Sequence, residues 1–473
     1  MKTAAPLIAL ALAGCATMEP SYVRPDSAVP PSWPAGDPYL RQSEAALPVV
    51  TYRDIFRDVR LQTLIGQGLA NNRDLMAAAA NIAAAREQYR IQRADLFPHV
   101  DAGGTVSGLP ATGAGENGAD VEYRAGLSIA SFEVDLFGRI RSLTKAELNR
   151  YFATEAAGRA TRLALVADIA NAWLVYGADS SLLAIAEDTA ANAERSVRLT
   201  RARLEGGIAP RTDVRQAEQI LYAAHALVAQ QRTALAQDVN LLQLLVGAPI
   251  DRSLLPTSIE QAAPTVAPLP AGVSSLVLLR RPDVVEAEYR LRAANAEIGA
   301  ARAALFPTIS LTGLFGLASS SLGGLLSEGL NWTASAAAGY SIFNAGANRA
   351  NVRRTEAERD AAIAAYQKAI QSAFREVGDA LARLGTAGDE LRARDAQQAS
   401  AADNYRLAEA RYRAGIDDFL ATLDAQRTLY SAQQSLVQMR LEAASNHVDL
   451  YRALGGDALY PEELPTTPAP AAP

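Results

Sequence analysis

Apolar residues along most of the chain recur at the three-and-four spacing of a helix packed on one side. Ile363, Tyr366, Ile370, Ala373, Val377, Ala380, Leu384, Ala387 and Leu391 form a heptad seam that alternates large side chains with alanine. After Gly415 a second seam answers it through Leu420, Leu423, Arg427, Tyr430, Gln434, Val437, Leu441, Ala444, Val448 and Tyr451. No proline stands between Pro110 and Pro210 or between Pro307 and Pro461, so helices can run unbroken there. The pattern predicts long helices over 139–205 and 345–412, each roughly 100 Å at 1.5 Å per residue, returning through shorter helices over 211–246 and 417–454 as antiparallel hairpins.

Ahead of each rod the period drops to two. Val121, Tyr123, Ala125, Leu127 and Ile129 alternate with Glu122, Arg124, Gly126 and Ser128, and Trp332, Ala334, Ala336, Ala338, Tyr340 and Ile342 alternate with Thr333, Ser335, Ala337, Gly339 and Ser341. Their partners are Val100 to Ser107 and Ile309 to Leu317, giving strand pairs within about 99–134 and 308–343, with Gly-rich tips. One apolar face suits a wall between lipid and water, and about ten residues cross a bilayer when tilted. Four strands cannot close a transmembrane barrel, whose minimum is about eight, so membrane insertion requires several chains. A soluble two-hairpin sheet and two structural coiled coils satisfy the same patterns.

The two halves repeat each other. Leu96-Phe97-Pro98 recurs as Leu305-Phe306-Pro307, Phe137 as Phe343, Ala202-Arg203 to Gly207-Ile208 as Ala410-Arg411 to Gly415-Ile416, and Val246-Gly247 as Leu454-Gly455. The resulting organisation is a signal (1–14), a Pro-rich segment (15–50), repeat 1 (51–247), a linker (248–271), repeat 2 (272–456) and a Pro-rich tail (457–473), the last expected to be disordered. The fold class is mainly α, with a β contribution from two strands per repeat.

Composition narrows the chemistry. Aromatics reach only 6% because alanine carries much of the 49% hydrophobic content, which suits close helix packing better than one globular core. With 45 Lys and Arg against 51 Asp and Glu the net charge is −6, which argues against a nucleic-acid partner. A single cysteine excludes disulfides, and His99, His225 and His447 fall in unrelated segments, so no metal or other cofactor is expected. Gly113 to Gly118 spells a dinucleotide fingerprint but precedes a strand, so it reads as a loop tip. No nucleophile elbow or phosphate loop occurs, and no enzyme is predicted.

Lys2, the apolar run Ala4 to Ala13 and small residues before Cys15 form an export signal. Leu12-Ala13-Gly14-Cys15 resembles the bacterial lipoprotein signal, which implies cleavage before Cys15 and a covalent lipid such as palmitate on it; Ala16 favours outer-membrane sorting in that resemblance. An ordinary signal with a chance cysteine is the alternative. Beyond it no uninterrupted apolar run approaches 18 residues, so no transmembrane helix is expected.

Longer motifs carry a family resemblance. Glu19 to Pro25, Phe132 to Arg139, Leu278 to Val284, Tyr412 to Gly415 and Leu423 to Arg427, in that order, resemble outer-membrane efflux channels of the TolC/OprM type, in their lipoprotein, NodT-like branch. The resemblance covers nearly the whole mature chain. It implies a homotrimer whose strands form a twelve-stranded barrel, continued by a periplasmic α-barrel. It also implies a lipid-anchored outer-membrane location and partnership with a periplasmic adaptor and an inner-membrane RND-type pump. The function implied is a passive exit duct gated at its periplasmic tip, with antibiotic resistance as a consequence. An adaptor lipoprotein of such a pump, or a lipoprotein enzyme, are the alternatives; an adaptor should show one hairpin between β-rich halves.

The resemblance also assigns site residues. Leu420 and Asp424 match positions of constricting rings, and Tyr412, Asp213 and Arg427 match polar links that hold the tips together. Gly207 and Gly415 match the turns that dock the adaptor, with Asp417 beside them where some relatives carry arginine. Asp213 and Asp417 read equally well as helix caps.

Overall fold

The computed structural model describes residues 17–26, 29–30, 32–33, 51–110, 119–268, 275–326 and 330–456. The signal, Cys15, most of the Pro-rich segment, the Gly113–Gly118 tip and the tail lie outside them. In chain order the main elements are α1 (Val59–Asn71), α2 (Arg73–Ala94), β1 (Asp101–Pro110), β2 (Ala119–Val134), α3 (Arg139–Glu205) and α4 (Arg211–Val246). They are followed by α5 (Pro282–Ala303), β3 (Thr308–Ser319), β4 (Leu330–Gly339), α6 (Ala347–Arg413) and α7 (Phe419–Ala453). The helix–strand–strand–helix–helix order of the first half recurs in the second. Both long helices, α3 and α6, have 67 residues.

The chain divides into two compact units. The first, built from 81–155 and 286–367 with the N-terminal stretch to Asp26, holds an antiparallel sheet ordered β1-β2-β3-β4. Its register puts Leu127, Phe315 and Trp332 in one row, while Glu122, Arg124, Ser128 and Thr333 fall on the opposite face. Among the described residues no other element covers the apolar row, and Phe315 and Trp332 are 52% and 72% exposed. Gly126 pairs with Gly316, where a methyl group on either would strike the opposing backbone. β2 continues to Val134 past a bulge between Ile129 and Phe132. β4 stops at Gly339, so Tyr340 and Ile342, expected within it, lie beyond the strand. Asn344 then turns the chain, its carbonyl accepting from Ala347 N at 3.0 Å, and α6 starts two residues later than the periodicity indicates.

Besides the β2–β3 pairing, side-chain contacts tie the repeats together within this unit. Phe137 and Phe306 stack with centroids 4.7 Å apart. Residues 17–26 form neither helix nor strand. Lys145 and Asn295 donate to Glu19, and Arg24 donates to the nearly buried Glu288 at 2.7 Å.

The second unit, drawn from 27–80, 156–285 and 368–456, is centred on Trp173, Tyr451, Phe56, Leu64, Ile169 and Leu242, all fully buried. Trp173 donates its indole N–H to the Leu254 carbonyl at 3.0 Å, which satisfies its one polar atom, and the Arg60 guanidinium lies 5.7 Å from the ring centroid. One stretch of α3 is long and apolar enough to cross a membrane by length and composition alone, though Asp168 and Asn171 interrupt its apolar run, and half of it is buried inside the chain. Its alanines and branched residues serve helix packing.

The α6 seam is largely as predicted, with Tyr366, Ile370, Ala373, Val377, Ala380 and Ala387 buried. The α7 seam is not. Near its start the buried residues are Phe419, Thr422, Leu423, Ala425 and Gln426, while Leu420 and Arg427 face outward. The sequence counted apolar Leu420 into the packing seam. In the structure Phe419 takes that place because its ring meets Tyr412, at a centroid distance of 5.1 Å.

Candidate functional site

The two hairpin turns are built alike. Gly207 and Gly415 have φ of 73° and 75°, the left-handed region where a side chain is strained. Gly207 N donates to Leu204 O and Ile208 N to Arg203 O, both at 3.0 Å; Gly415 N donates to Tyr412 O at 3.0 Å and Ile416 N to Arg411 O at 2.9 Å. Ile208 and Ile416, 70% and 63% exposed, project from the turns. The predicted docking positions therefore sit on two equivalent, solvent-facing apolar knobs.

Asp417 is held by Arg411, whose Nε and Nη2 donate to its two oxygens at 2.5 and 2.9 Å. That guanidinium keeps its carboxyl below the usual carboxylate range. The cap of α7 is instead Asp418, which accepts from Ala421 N at 3.1 Å, so the helix begins at Phe419 rather than 417. Asp213 does not cap α4 either: it lies in the first turn after Pro210, which offers no side-chain cap. There its negative charge favours the helix N-terminus.

Tyr412 is only 3% exposed and joins a core of Val197, Ala217, Phe419 and Leu423 drawn from all four hairpin helices. Its hydroxyl has no hydrogen-bond partner among the described residues. Burial pushes its pKa up, with the Asp213 charge adding to the rise and Arg203 opposing it. Arg203, which the sequence reading did not select, donates Nη1 to the Tyr412 carbonyl at 2.8 Å and sets its guanidinium 4.6 Å from the ring centroid.

Leu420, Asp424 and Arg427 are all exposed, and their spacing of four and three puts them on one outward face of α7. Leu420 keeps 60% of its surface. Among the described residues no carboxylate lies within ion-pair distance of Arg427 and no cation within that distance of Asp424. Arg427 is accordingly not brought to Tyr412 and Asp213. The face is an unpartnered strip of one apolar and two oppositely charged residues near the hairpin turn.

A different acid pair lies between α3 and α4. Asp238 faces Asp179, and one of its oxygens is buried without a partner. Burial first, then the Asp179 charge, push the Asp238 carboxyl up to about 7. Among the described residues no group of three or more His, Cys, Asp and Glu side chains is placed to hold a metal ion. The histidines are scattered: His225 lies 3.9 Å from Glu194, and burial lowers the His447 pKa.

The family profile described as outer membrane efflux protein matches residues 64–248 and 273–456, the two repeats in turn. The probable efflux pump outer membrane protein TtgC of Pseudomonas putida is 45% identical over 456 residues, covering 95% of this chain and 94% of that protein. The outer membrane protein OprJ of Pseudomonas aeruginosa is 40% identical over 455 residues, covering 95% and 94%. Among solved structures, the open state of the MtrE outer membrane channel of Neisseria gonorrhoeae superposes with TM-score 0.83 at 34% identity, covering 94% of this chain and 99% of that one. A membrane protein from Pseudomonas aeruginosa superposes with TM-score 0.85 at 37% identity, covering 96% and 100%. With both repeats matched and the likeness running along nearly the whole chain, this protein belongs to the outer membrane efflux protein family, the outer-membrane channels of efflux pumps.

Proposed function

We propose that this chain works as a homotrimeric, lipid-anchored exit duct. Three copies pair their sheets edge to edge into one closed twelve-stranded barrel, and the hairpin turns form a periplasmic gate. The observation that carries the reading is the four-stranded sheet, with one uncovered apolar face and strand edges at β1 and β4 that a single chain cannot join. In hydrocarbon such edges are untenable, because each unpaired N–H and C=O costs several kcal/mol, on the order of the amide desolvation penalty. Pairing β4 of one copy with β1 of the next removes every edge.

Three-fold repetition of the α7 face would bring copies of Leu420, Asp424 and Arg427 round one axis, which supplies the partners they lack within the chain. Leu420 then acts as an apolar constriction, Asp424 as a carboxylate ring and Arg427 as a link. The exposed Ile208 and Ile416 turns suit an adaptor docked at the tip, with an inner-membrane RND-type pump beyond it. Cys15 carries the lipid, in keeping with its place after Leu12-Ala13-Gly14.

Relatives are named for the efflux of toluene, solvents and antibiotics. Small apolar molecules are the cargo class we assign, with selection left to the pump. The experiment is complementation. A strain lacking its own channel but retaining pump and adaptor should recover resistance to toluene and hydrophobic antibiotics when this chain is expressed, and lack of recovery despite outer-membrane insertion would refute the reading.

A further inference from the structure

We propose that Arg203 is a positioning residue of the gate, a latch from the first hairpin to the base of the second turn, and that Ala209 is the residue that frees it for this task. The inference rests on the gate reading above and deepens it. Arg203 and Arg411 are equivalent in the duplication, each four residues before its positive-φ glycine. Arg411 folds back on its own turn and is captured by Asp417, two residues after Gly415. The position two after Gly207 is Ala209, which offers no carboxylate. Arg203 therefore has no partner on its own turn and crosses to the other hairpin.

What it meets there is a built receptor. Nη1 donates to the Tyr412 carbonyl at 2.8 Å, the same oxygen that accepts Gly415 N at 3.0 Å and closes the second turn. The guanidinium lies over the Tyr412 ring, 4.6 Å from its centroid, so one planar cation makes both a charge-assisted hydrogen bond and a cation–π contact. Tyr412 in turn packs on Phe419, the first residue of α7 and the neighbour of Leu420. The latch thus fixes the turn from which the Leu420 and Asp424 face departs, without touching that face.

The test compares Arg203→Ala, Arg203→Lys and Ala209→Asp. The last keeps the arginine but gives the first turn the carboxylate that Asp417 supplies to the second, so it should recapture Arg203 and release Tyr412. Resting conductance in planar bilayers should rise in Arg203→Ala and Ala209→Asp as the closed-to-open ratio falls by about tenfold, equivalent to about 1.4 kcal/mol. Arg203→Lys, which keeps the charge but loses the planar fork, should fall between. Helix content by circular dichroism should be unchanged. In parallel, spin labels on Ile208→Cys and Ile416→Cys in the full chain should show a broadened distance distribution in the same two variants. Unchanged conductance in a wild-type channel that does conduct, or an unchanged label distribution, would overturn the latch. Absence of conductance in the wild type would instead count against the duct reading, and the label distances still decide the latch.

Discussion

Arg281, only 7% exposed, donates Nη1 to the Ala453 carbonyl at 2.7 Å while its Nη2 reaches Glu376 at 2.8 Å and Asp283 at 2.7 Å. One guanidinium thereby binds the start of α5 to α6 and to the last turn of α7, where helix carbonyls otherwise lack donors. Arg281→Ala should lower unfolding stability by about 2–4 kcal/mol. The loss stays below that of a fully buried pair because both carboxylates keep 41% of their surface. Denaturant titration measures it, and a loss under about 0.5 kcal/mol, the size of an ordinary surface change, would contradict the assignment.

The facing acids Asp179 and Asp238 make a pH prediction. Asp238 holds its proton up to about 7 when folded, against an ordinary carboxyl near 3.8 when unfolded. Between those values the folded state binds the extra proton, so this group's contribution falls as pH rises through the window and is lost above it. Asp238→Asn should raise the melting temperature at pH 8 and leave it nearly unchanged at pH 4, flattening the profile. An equal shift at both values would contradict a raised Asp238 pKa in the folded state.

Much of this architecture is legible in the sequence because it follows from two periods and a duplication. The proline-free spans give α3 and α4 at the bounds 139–205 and 211–246, and the alternation at Val121 to Ile129 locates β2. What fails are the places where one tertiary contact overrides the period. Leu420 looks like a seam residue, but Phe419 takes the packed position against Tyr412. Tyr340 and Ile342 continue an alternation past Gly339, where β4 ends. Arg203 is invisible for a different reason: its importance lies in what is missing at 209, and only aligning the two repeats around their turn glycines exposes it. The gate residues came from family resemblance, since no spacing in one chain reveals a three-fold axis.

In the proposed trimer, three Asp424 carboxylates around the gate should concentrate cations and let divalent ions block the pore. Asp424→Ala should weaken cation selectivity and divalent block. Leu420→Ala combined with Arg427→Ala should raise resting conductance by removing apolar closure and a link together. Reversal potentials in a salt gradient check the first claim and single-channel recordings the second. If neither changes, the constriction is elsewhere.

For the anchor, Cys15→Ser should abolish incorporation of labelled palmitate, because this is the only thiol in the chain. Retained label would contradict the lipoprotein assignment.

The claim on which the account turns is that this chain cannot close its membrane wall alone. Native mass spectrometry of the detergent-extracted protein tests it most directly. The four-stranded sheet with its apolar face predicts a trimer, near three times the 50.0 kDa chain less its signal, with no folded single chain persisting on dilution. A stable, folded monomer of native helix content would contradict it.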